Sequence, residues 1–351
     1  MTLLANKTEI VIKNIFQLSK SGNSESEYED ACDYSIEERR FAISDGATES
    51  SFANLWAKSL VTGLVATAPF QFLETEADLL EWLEPLQNTW RKMIDWQNLP
   101  WFAADKAEAG AFATLLGVQF LDPELVSLLP ETKPVDEEMR WQAVAIGDSC
   151  LFQVRQNQLA SSFPLNSSKQ FSNSPILLAS SVSKNQQVWR NFHHCKEVCY
   201  ENDLFFLMTD ALAQWFLTEY EQGRKPWVTL YHLRDEEDFQ HFITRLRNSG
   251  QLRNDDVTLL TIQLGNGDLG LVETINEELV AETKEHTPTS TFVVKDSKDT
   301  KDFDTAKTTQ LDSKPTDVKT PQFRSLDQPS VLKQIGKSII GLLGKKEEED
   351  K

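Results

Sequence analysis

The sequence predicts an α+β protein whose antiparallel sheets carry helices on their outer faces. Two observations support this class. Strand-like and helix-like segments follow one another without a regular βαβ alternation, and the helix-like segments occur in pairs between the strands. The 351 residues are 40% hydrophobic and include nine Trp and twenty Phe. This is enough apolar material for a sizeable core.

The first half of the chain contains two predicted strands and two predicted helices. Residues 8–19 alternate between apolar and polar side chains, and residues 39–46 are apolar and end at Asp-Gly, so both segments are predicted strands. Residues 51–68 have apolar side chains at helical spacing. A second helix is predicted over 77–96, and we expect it to be interrupted or kinked at Pro85.

The second half contains mainly strands. Residues 110–121 form one predicted strand, and 140–159 form two that turn at Gly147-Asp148. Residues 197–216 are predicted as a strand that leads into a helix at Asp210. An amphipathic helix over 235–250 and a strand over 255–264 complete the pattern.

Charge and cysteine content exclude several classes of function. The chain has 35 basic and 54 acidic residues, a formal net charge of −19, which argues against nucleic-acid binding across a broad face. The spacing of its four cysteines matches neither a disulfide scaffold nor a zinc ribbon, and no eighteen apolar residues run together. We therefore expect a cytoplasmic protein that does not bind nucleic acid and does not span a membrane.

Composition changes near residue 280. Residues 281–351 contain no Trp or Tyr and are rich in Thr, Lys, Asp and Pro. Such a segment buries too little apolar area to offset the entropy of ordering the chain. We predict a folded domain over 1–270, a disordered linker over 281–330 and a short amphipathic helix over 331–345.

This C-terminal helix is a candidate docking element. Its apolar residues lie on one side of a helix, which suits a partner protein, a membrane surface or the chain's own domain. Residues 330–346 contain three glycines and residues 347–350 are acidic, and both features weaken binding to anionic lipid. We therefore favour a partner protein over a membrane.

Aspartates stand at the ends of the predicted apolar strands, at Asp45, Asp148, Asp210 and the pair Asp255 and Asp256. Carboxylates beside a core are costly unless they are paired or bind a metal, and no run of Arg or Lys lies nearby in sequence. Converging carboxylate oxygens suit Mg²⁺ or Mn²⁺, and two such ions can activate water and hold a phosphoryl group. Taken singly, each aspartate is better explained as a turn residue or a helix cap than as a metal ligand.

Taken in order, these segments resemble the metal-dependent protein phosphatase 2C family over roughly residues 8–266. The resemblance implies a four-layer α-β-β-α sandwich with two central antiparallel sheets, and assigns residues 1–270 to a phosphatase domain. The matching segments are YEDAC, the Asp-Gly strand FAISDG, the Gly-rich strand GAFATLLG, VAIGDSCLF with its Gly-Asp-Ser turn between paired strands, FFLMTDAL and NDDVTLLTI.

The resemblance also implies a metal site that uses Mn²⁺ or Mg²⁺ to hydrolyse phosphoserine and phosphothreonine in proteins through a metal-bridging water. Asp45 would bridge two ions, Asp210 and Asp255 would bind one of them, and the Gly46 carbonyl would bind the other. These three aspartates would be the catalytic residues, and Asp148 would contribute to a third, weaker metal. Glu29 and Asp30 would hold metal-bound waters. The full implied set is Glu29, Asp30, Asp45, Gly46, Asp148, Asp210 and Asp255.

Three positions depart from the family pattern. Glu25 stands where the family carries an Arg for the substrate phosphate, Gln214 replaces a ligand of the third metal, and Ala47 stands where some members have a His. We therefore expect a third metal site that is weak or absent, phosphate held mainly by the metals, and a high KM. We favour an active phosphatase. The alternative is a pseudophosphatase that binds a phosphoprotein or another partner without turnover.

Overall fold

Two five-stranded antiparallel sheets form the centre of the protein. The computed structural model describes residues 8–71, 73–99, 101–121, 138–172, 174–267, 269 and 271. The predicted linker over 281–330 and helix over 331–345 lie outside these residues and stay predictions. No helix in the described part of the chain has the length and apolarity needed to cross a bilayer.

The first sheet joins the two ends of the folded chain, because the first strand pairs with the last one. Its strand order is β1-β12-β11-β7-β8. These strands are β1 (Ile10–Leu18), β7 (Cys150–Arg155), β8 (Gln158–Phe163), β11 (Leu204–Met208) and β12 (Val257–Leu264).

The second sheet has the strand order β10-β6-β5-β3-β2. Two further strands, β4 and β9, form a separate two-stranded sheet. The strands of the second sheet are β2 (Ala31–Ser35), β3 (Arg40–Ser44), β5 (Leu115–Leu121), β6 (Arg140–Ile146) and β10 (His193–Val198). The short pair consists of β4 (Phe112–Ala113) and β9 (Leu178–Ala179).

Helices cover the outer face of each sheet. Two pack on the second sheet and three on the first, while a further helix precedes β4. The helix predicted to be interrupted or kinked at Pro85 is not interrupted there, and it begins after its N-cap Thr75. The helices are α1 (Ala53–Thr67), α2 (Glu76–Met93), α3 (Trp101–Glu108), α4 (Asp210–Glu221), α5 (Pro226–Tyr231) and α6 (Glu236–Asn248).

Three apolar layers separate the sheets and helices, which explains why most strands are apolar on both faces. In β11, Phe205 and Leu207 pack between the two sheets. The alternate residues Leu204, Phe206 and Met208 pack against the helices on the first sheet. A third cluster joins the second sheet to α1 and α2. The predicted α+β class and its four-layer arrangement are therefore confirmed.

The Gly147-Asp148 turn differs from its prediction as a turn between paired strands. β6 pairs with β5 and β10, whereas β7 pairs with β8 and β11, so this turn carries the chain from one sheet to the other. Gly147 has a φ of +96°, and a Cβ at this position would lie 2.6 Å from Cγ2 of Thr114. The crossing thus requires glycine.

A buried polar network also links the two sheets. Trp141 in β6 donates its indole N–H to Oε1 of Gln153 in β7 at 3.0 Å. The Gln153 amide donates to the Asp203 carboxylate at 2.7 Å, and Arg155 pairs with the same carboxylate at 2.8 Å. Because Trp141, Gln153 and Asp203 are all buried, each depends on the others for hydrogen bonding.

Replacing Gln153 by Met should lower the free energy of unfolding by about 2–4 kcal/mol, because it removes the partner of a buried indole N–H and one donor to a buried carboxylate. Urea denaturation of Gln153→Met and wild type measures the difference. Gln158→Met is the matched control, since Gln158 is exposed at the start of β8. Equal stability of all three proteins would contradict the network.

Candidate active site

An acidic cleft of about 560 Å³ opens where strands of both sheets end. Asp45 follows β3, Asp148 follows β6, Asp210 follows β11 by two residues, and Asp255 precedes β12. Five of the seven predicted site residues line this cleft, namely these four aspartates and Gly46. Its charged lining residues are Asp45, Glu49, Lys106, Asp148, Asp210, Arg253 and Asp255.

Thr114 fixes the turn that carries Asp45. The Asp45 N–H donates to the Thr114 hydroxyl at 2.8 Å, and the Thr114 N–H donates to the Asp45 carbonyl at 2.8 Å. The Thr114 hydroxyl also lies 2.8 Å from the hydroxyl of Ser149, which follows Asp148. Thr114 therefore holds together the two turns that bring Asp45 and Asp148 to the cleft, a role that the sequence did not reveal.

Gly46 allows the Glu29 segment to approach this turn closely. A Cβ on Gly46 would lie 2.6 Å from the carbonyl oxygen of Glu29 and 3.0 Å from the Cβ of Ala53. The nearest of these atoms is backbone and cannot rotate away. Glycine is thus needed here for packing, independently of the predicted role of its carbonyl as a metal ligand.

Burial and mutual repulsion raise the pKa values of three cleft carboxyls, those of Asp45, Asp148 and Asp210. Burial raises the pKa of Asp45 well above its ordinary value, and the negative charges of Asp30 and Asp210 raise it further. Burial, followed by the charge of Asp210, raises the pKa of Asp148 to about 7. The pKa of Asp210 is also raised by burial, and Arg253 opposes this shift. Gathering these groups is therefore unfavourable unless a cation is present.

Several buried carboxylate oxygens in and behind the cleft have no hydrogen-bond partner among the described residues. The unpartnered atoms are both carboxylate oxygens of Asp148, Oδ1 of Asp210 and Oδ1 of Asp30. Orphaned anionic oxygens are the groups that a hard divalent cation would satisfy. The residues present thus fit a Mg²⁺ or Mn²⁺ site in donor type.

The carboxylates do not converge on one point. Within the described ranges, no group of three or more His, Cys, Asp or Glu side chains has the arrangement of a preformed metal site. The four aspartates instead surround the cleft, and a chain cation contacts one of them, because Arg253 Nη2 donates to Oδ2 of Asp210. No run of Arg or Lys lies near these acids in sequence, but a single arginine that is distant from Asp210 along the chain reaches its carboxylate.

The two acids of the YEDAC segment lie beside the cleft lining. Glu29 pairs with Lys20 at 3.4 Å, and the Lys20 ammonium also donates to the Thr48 hydroxyl at 2.8 Å. Burial raises the pKa of Glu29 despite this pair. Asp30 is buried, and its Oδ2 accepts from the Thr258 hydroxyl at 2.9 Å. Burial, followed by the charge of Asp256, raises its pKa well above the ordinary value.

Asp256 fastens this segment to β12. Its Oδ1 accepts the Lys20 N–H and its Oδ2 accepts the Glu29 N–H, both at 2.8 Å. Both carboxylate oxygens are thus engaged with backbone, whereas the side chain of Asp255 lines the cleft. Asp256 therefore holds backbone segments together, whereas the adjacent Asp255 faces the cleft.

Two of the three positions that depart from the family pattern, Glu25 and Gln214, lie outside the cleft lining, whereas Ala47 is part of it. Glu25 lies in a 3₁₀ turn and lines a separate pocket between β1 and α6, together with Lys20 and Arg247. The Gln214 amide lies 3.5 Å from the Ser168 carbonyl, in contact with another loop. Sequence reasoning missed the two bases of the lining, Lys106 and Arg253. The signal for Arg253 was its place two residues before Asp255.

Comparisons with known proteins find similarity among solved structures alone. A scan against models of protein families finds no match, and neither does a search of curated proteins. PppA of Pseudomonas aeruginosa, a key regulatory component of T6SS, is 14% identical over 73% of this chain and 97% of that chain, with a TM-score of 0.45.

Two further structures are similar at the same level. The serine/threonine phosphatase PstP/Ppp of Mycobacterium tuberculosis is 16% identical over 74% of this chain and all of that chain, with a TM-score of 0.44. RsbX, in complex with magnesium, is 16% identical over 73% of this chain and all of that chain, with a TM-score of 0.39. Since these scores are below 0.5, the function proposed below depends on this chain's own residues.

Replacing Asp45 by Asn should stabilise the metal-free protein. The raised pKa values mean that the folded chain holds protons which the unfolded chain loses above about pH 4. The free energy of unfolding should therefore fall as pH rises, including through about pH 7, where Asp148 titrates. In chelator, Asp45→Asn should gain roughly 1–2 kcal/mol at pH 8 and less at pH 5.

Denaturant unfolding at both pH values measures this gain. Asp95→Asn is the control, because Asp95 is exposed and lies outside the cleft lining. A loss of stability in Asp45→Asn at pH 8, or the same gain at both pH values, would contradict the repulsion described above.

Glu25→Arg should leave the KM for a small phosphomonoester within about twofold of the wild-type value. The side chain is exposed and lines the pocket beside α6, so a base there does not reach the acidic cleft. Steady-state kinetics with p-nitrophenyl phosphate gives the answer. A KM lowered by tenfold would show that residue 25 does face the substrate.

Proposed function

We propose that this protein is a metal-dependent protein serine/threonine phosphatase that hydrolyses phosphoserine and phosphothreonine in other proteins. The observation that carries the proposal is the meeting of four strand-end aspartates at one cleft, with buried oxygens of Asp148 and Asp210 left without partners. The phosphatase 2C resemblance supports it, because its motifs supply these same residues from distant parts of the chain.

Asp45, Asp210 and Asp255, with the Gly46 carbonyl, are the groups that would hold two Mn²⁺ or Mg²⁺ ions, and Asp148 would serve a weaker third site. Bound divalent ions supply Lewis acidity, which activates water and offsets the charge of a phosphoryl group. The clustered carboxylates provide the negative charge that draws the ions in, and Thr114 keeps two of the turns in place.

The described lining of the cleft contains neither Cys nor His. Among its hydroxyls, that of Ser50 donates to the Ala47 carbonyl at 2.8 Å and that of Thr48 accepts from Lys20. These features favour direct attack of water on phosphorus over a phosphoryl-enzyme route.

A pseudophosphatase is the second candidate, and one contact favours it. Arg253 already occupies an oxygen of Asp210, a predicted metal ligand. If this ion pair persisted, the cleft would bind a phosphorylated partner without the full metal complement. Titration of the metal and measurement of turnover together distinguish the two functions.

In the phosphatase, Asp45→Asn, Asp210→Asn and Asp255→Asn should each lower kcat for p-nitrophenyl phosphate by about 100-fold or more and weaken Mn²⁺ binding. Asp148→Asn should have a smaller effect. Hydrolysis of the phosphomonoester and of a phosphothreonine peptide, with and without chelator, measures the activity. Calorimetric titration with Mn²⁺ measures binding.

Asp95→Asn is again the control and should match wild type. Full activity in chelator, or in Asp45→Asn, would contradict the metal-dependent mechanism. Mn²⁺ or phosphopeptide binding by wild type without any turnover would instead support the pseudophosphatase.

A further inference from the structure

Arg253 places a guanidinium in the lining of the acidic cleft. Its side chain is 38% exposed, and Nη2 donates to Oδ2 of Asp210. Within the described residues this is the one hydrogen bond of its side chain, so the Nε and Nη1 donors stay open. A planar guanidinium has five N–H donors, and its geometry matches two oxygens of a phosphate group.

The position expected to bind phosphate cannot supply this contact. Glu25 is acidic and lines the pocket beside α6. The other base of the cleft lining, Lys106, is exposed on α3 and has no carboxylate partner among the described residues. Lysine presents a flexible point charge, whereas Arg253 is held in place by the Asp210 carboxylate.

We propose that Arg253 binds the phosphate group of the substrate and so supplies the contact that Glu25 does not make. The inference deepens the proposed phosphatase function and rests on it for the identity of the substrate. The substrate anion carries two negative charges into a cleft whose carboxylates would repel it, and Arg253 offers open donors inside that cleft. Asp210 orients the guanidinium through Nη2 and leaves the Nε and Nη1 donors available to bind phosphate oxygens.

A purely electrostatic role for Arg253 leads to a different expectation. If the guanidinium only neutralised Asp210, its removal would change metal affinity and stability but would leave the affinity for phosphate unchanged. Binding of phosphate and binding of Mn²⁺ are therefore measured separately, and neither measurement depends on turnover.

The variants are Arg253→Met, Arg253→Lys and the control Arg234→Met. Arg234 is 79% exposed and lies just before α6. It forms a surface ion pair with Asp238, which lies four residues later in the first turn of that helix. All three changes are made in the full chain, and thermal unfolding checks that each variant is folded. Calorimetry with inorganic phosphate, at saturating Mn²⁺, gives the dissociation constant.

Arg253→Met should weaken phosphate binding by about tenfold or more and raise the KM for p-nitrophenyl phosphate to a similar extent, with a smaller change in kcat. Arg253→Lys keeps the charge but loses the bidentate geometry, so it should fall between Met and wild type. Arg234→Met should bind phosphate as wild type does. Mn²⁺ affinity should be unchanged or higher in Arg253→Met, because a competing cation is removed.

Phosphate affinity within twofold of wild type in Arg253→Met would overturn the inference, whatever happens to Mn²⁺ affinity. Absence of phosphate binding in wild type would overturn it as well. If wild type binds phosphate without hydrolysing p-nitrophenyl phosphate, the proposed enzymatic function fails. The comparison of Arg253→Met with Arg234→Met still decides the role of Arg253 in that case.

Discussion

Electrostatic repulsion among carboxylates at one end of the sheets is the constraint around which the site is built. Most strands of the two sheets are buried on both faces, which leaves little room for charge along their length, so a cluster of acidic groups is best placed where strands end. Asp45, Asp148, Asp210 and Asp255 meet there. The raised pKa values of Asp45, Asp148 and Asp210 indicate that gathering these groups lowers the stability of the metal-free fold, and cation binding would recover it.

The sequence predicts the α+β class and the strand-end acids because both follow from local pattern, whereas the four-layer arrangement came from the family resemblance. Apolar strands that are buried on both faces have an unmistakable composition, and an aspartate directly after such a strand must lie at the edge of a sheet. The crossing at Gly147 was not predictable in this way. Whether two consecutive strands pair or change sheets depends on their partners, and those partners come from distant parts of the chain.

The sequence also does not show where a long charged side chain ends in the folded protein. Alignment with a family motif places Glu25 beside the substrate, but the 3₁₀ turn carries it to a different pocket. Arg253 has no counterpart in the motif, yet its long side chain returns over the cleft to Asp210. Motif spacing therefore located the backbone positions of the aspartates well and the position of the cations poorly.

Hydrogen-bond satisfaction separates structural acids from candidate functional ones in this protein. Asp256 and Asp203 are as buried as Asp148, but both engage their carboxylate oxygens with N–H donors of the chain. The oxygens of Asp148 have no such donors among the described residues. A buried carboxylate that the fold leaves unsatisfied is unfavourable by itself, which makes Asp148 a candidate ligand for a bound cation. The same reasoning applies to Arg253, whose open donors serve no structural contact in the described chain.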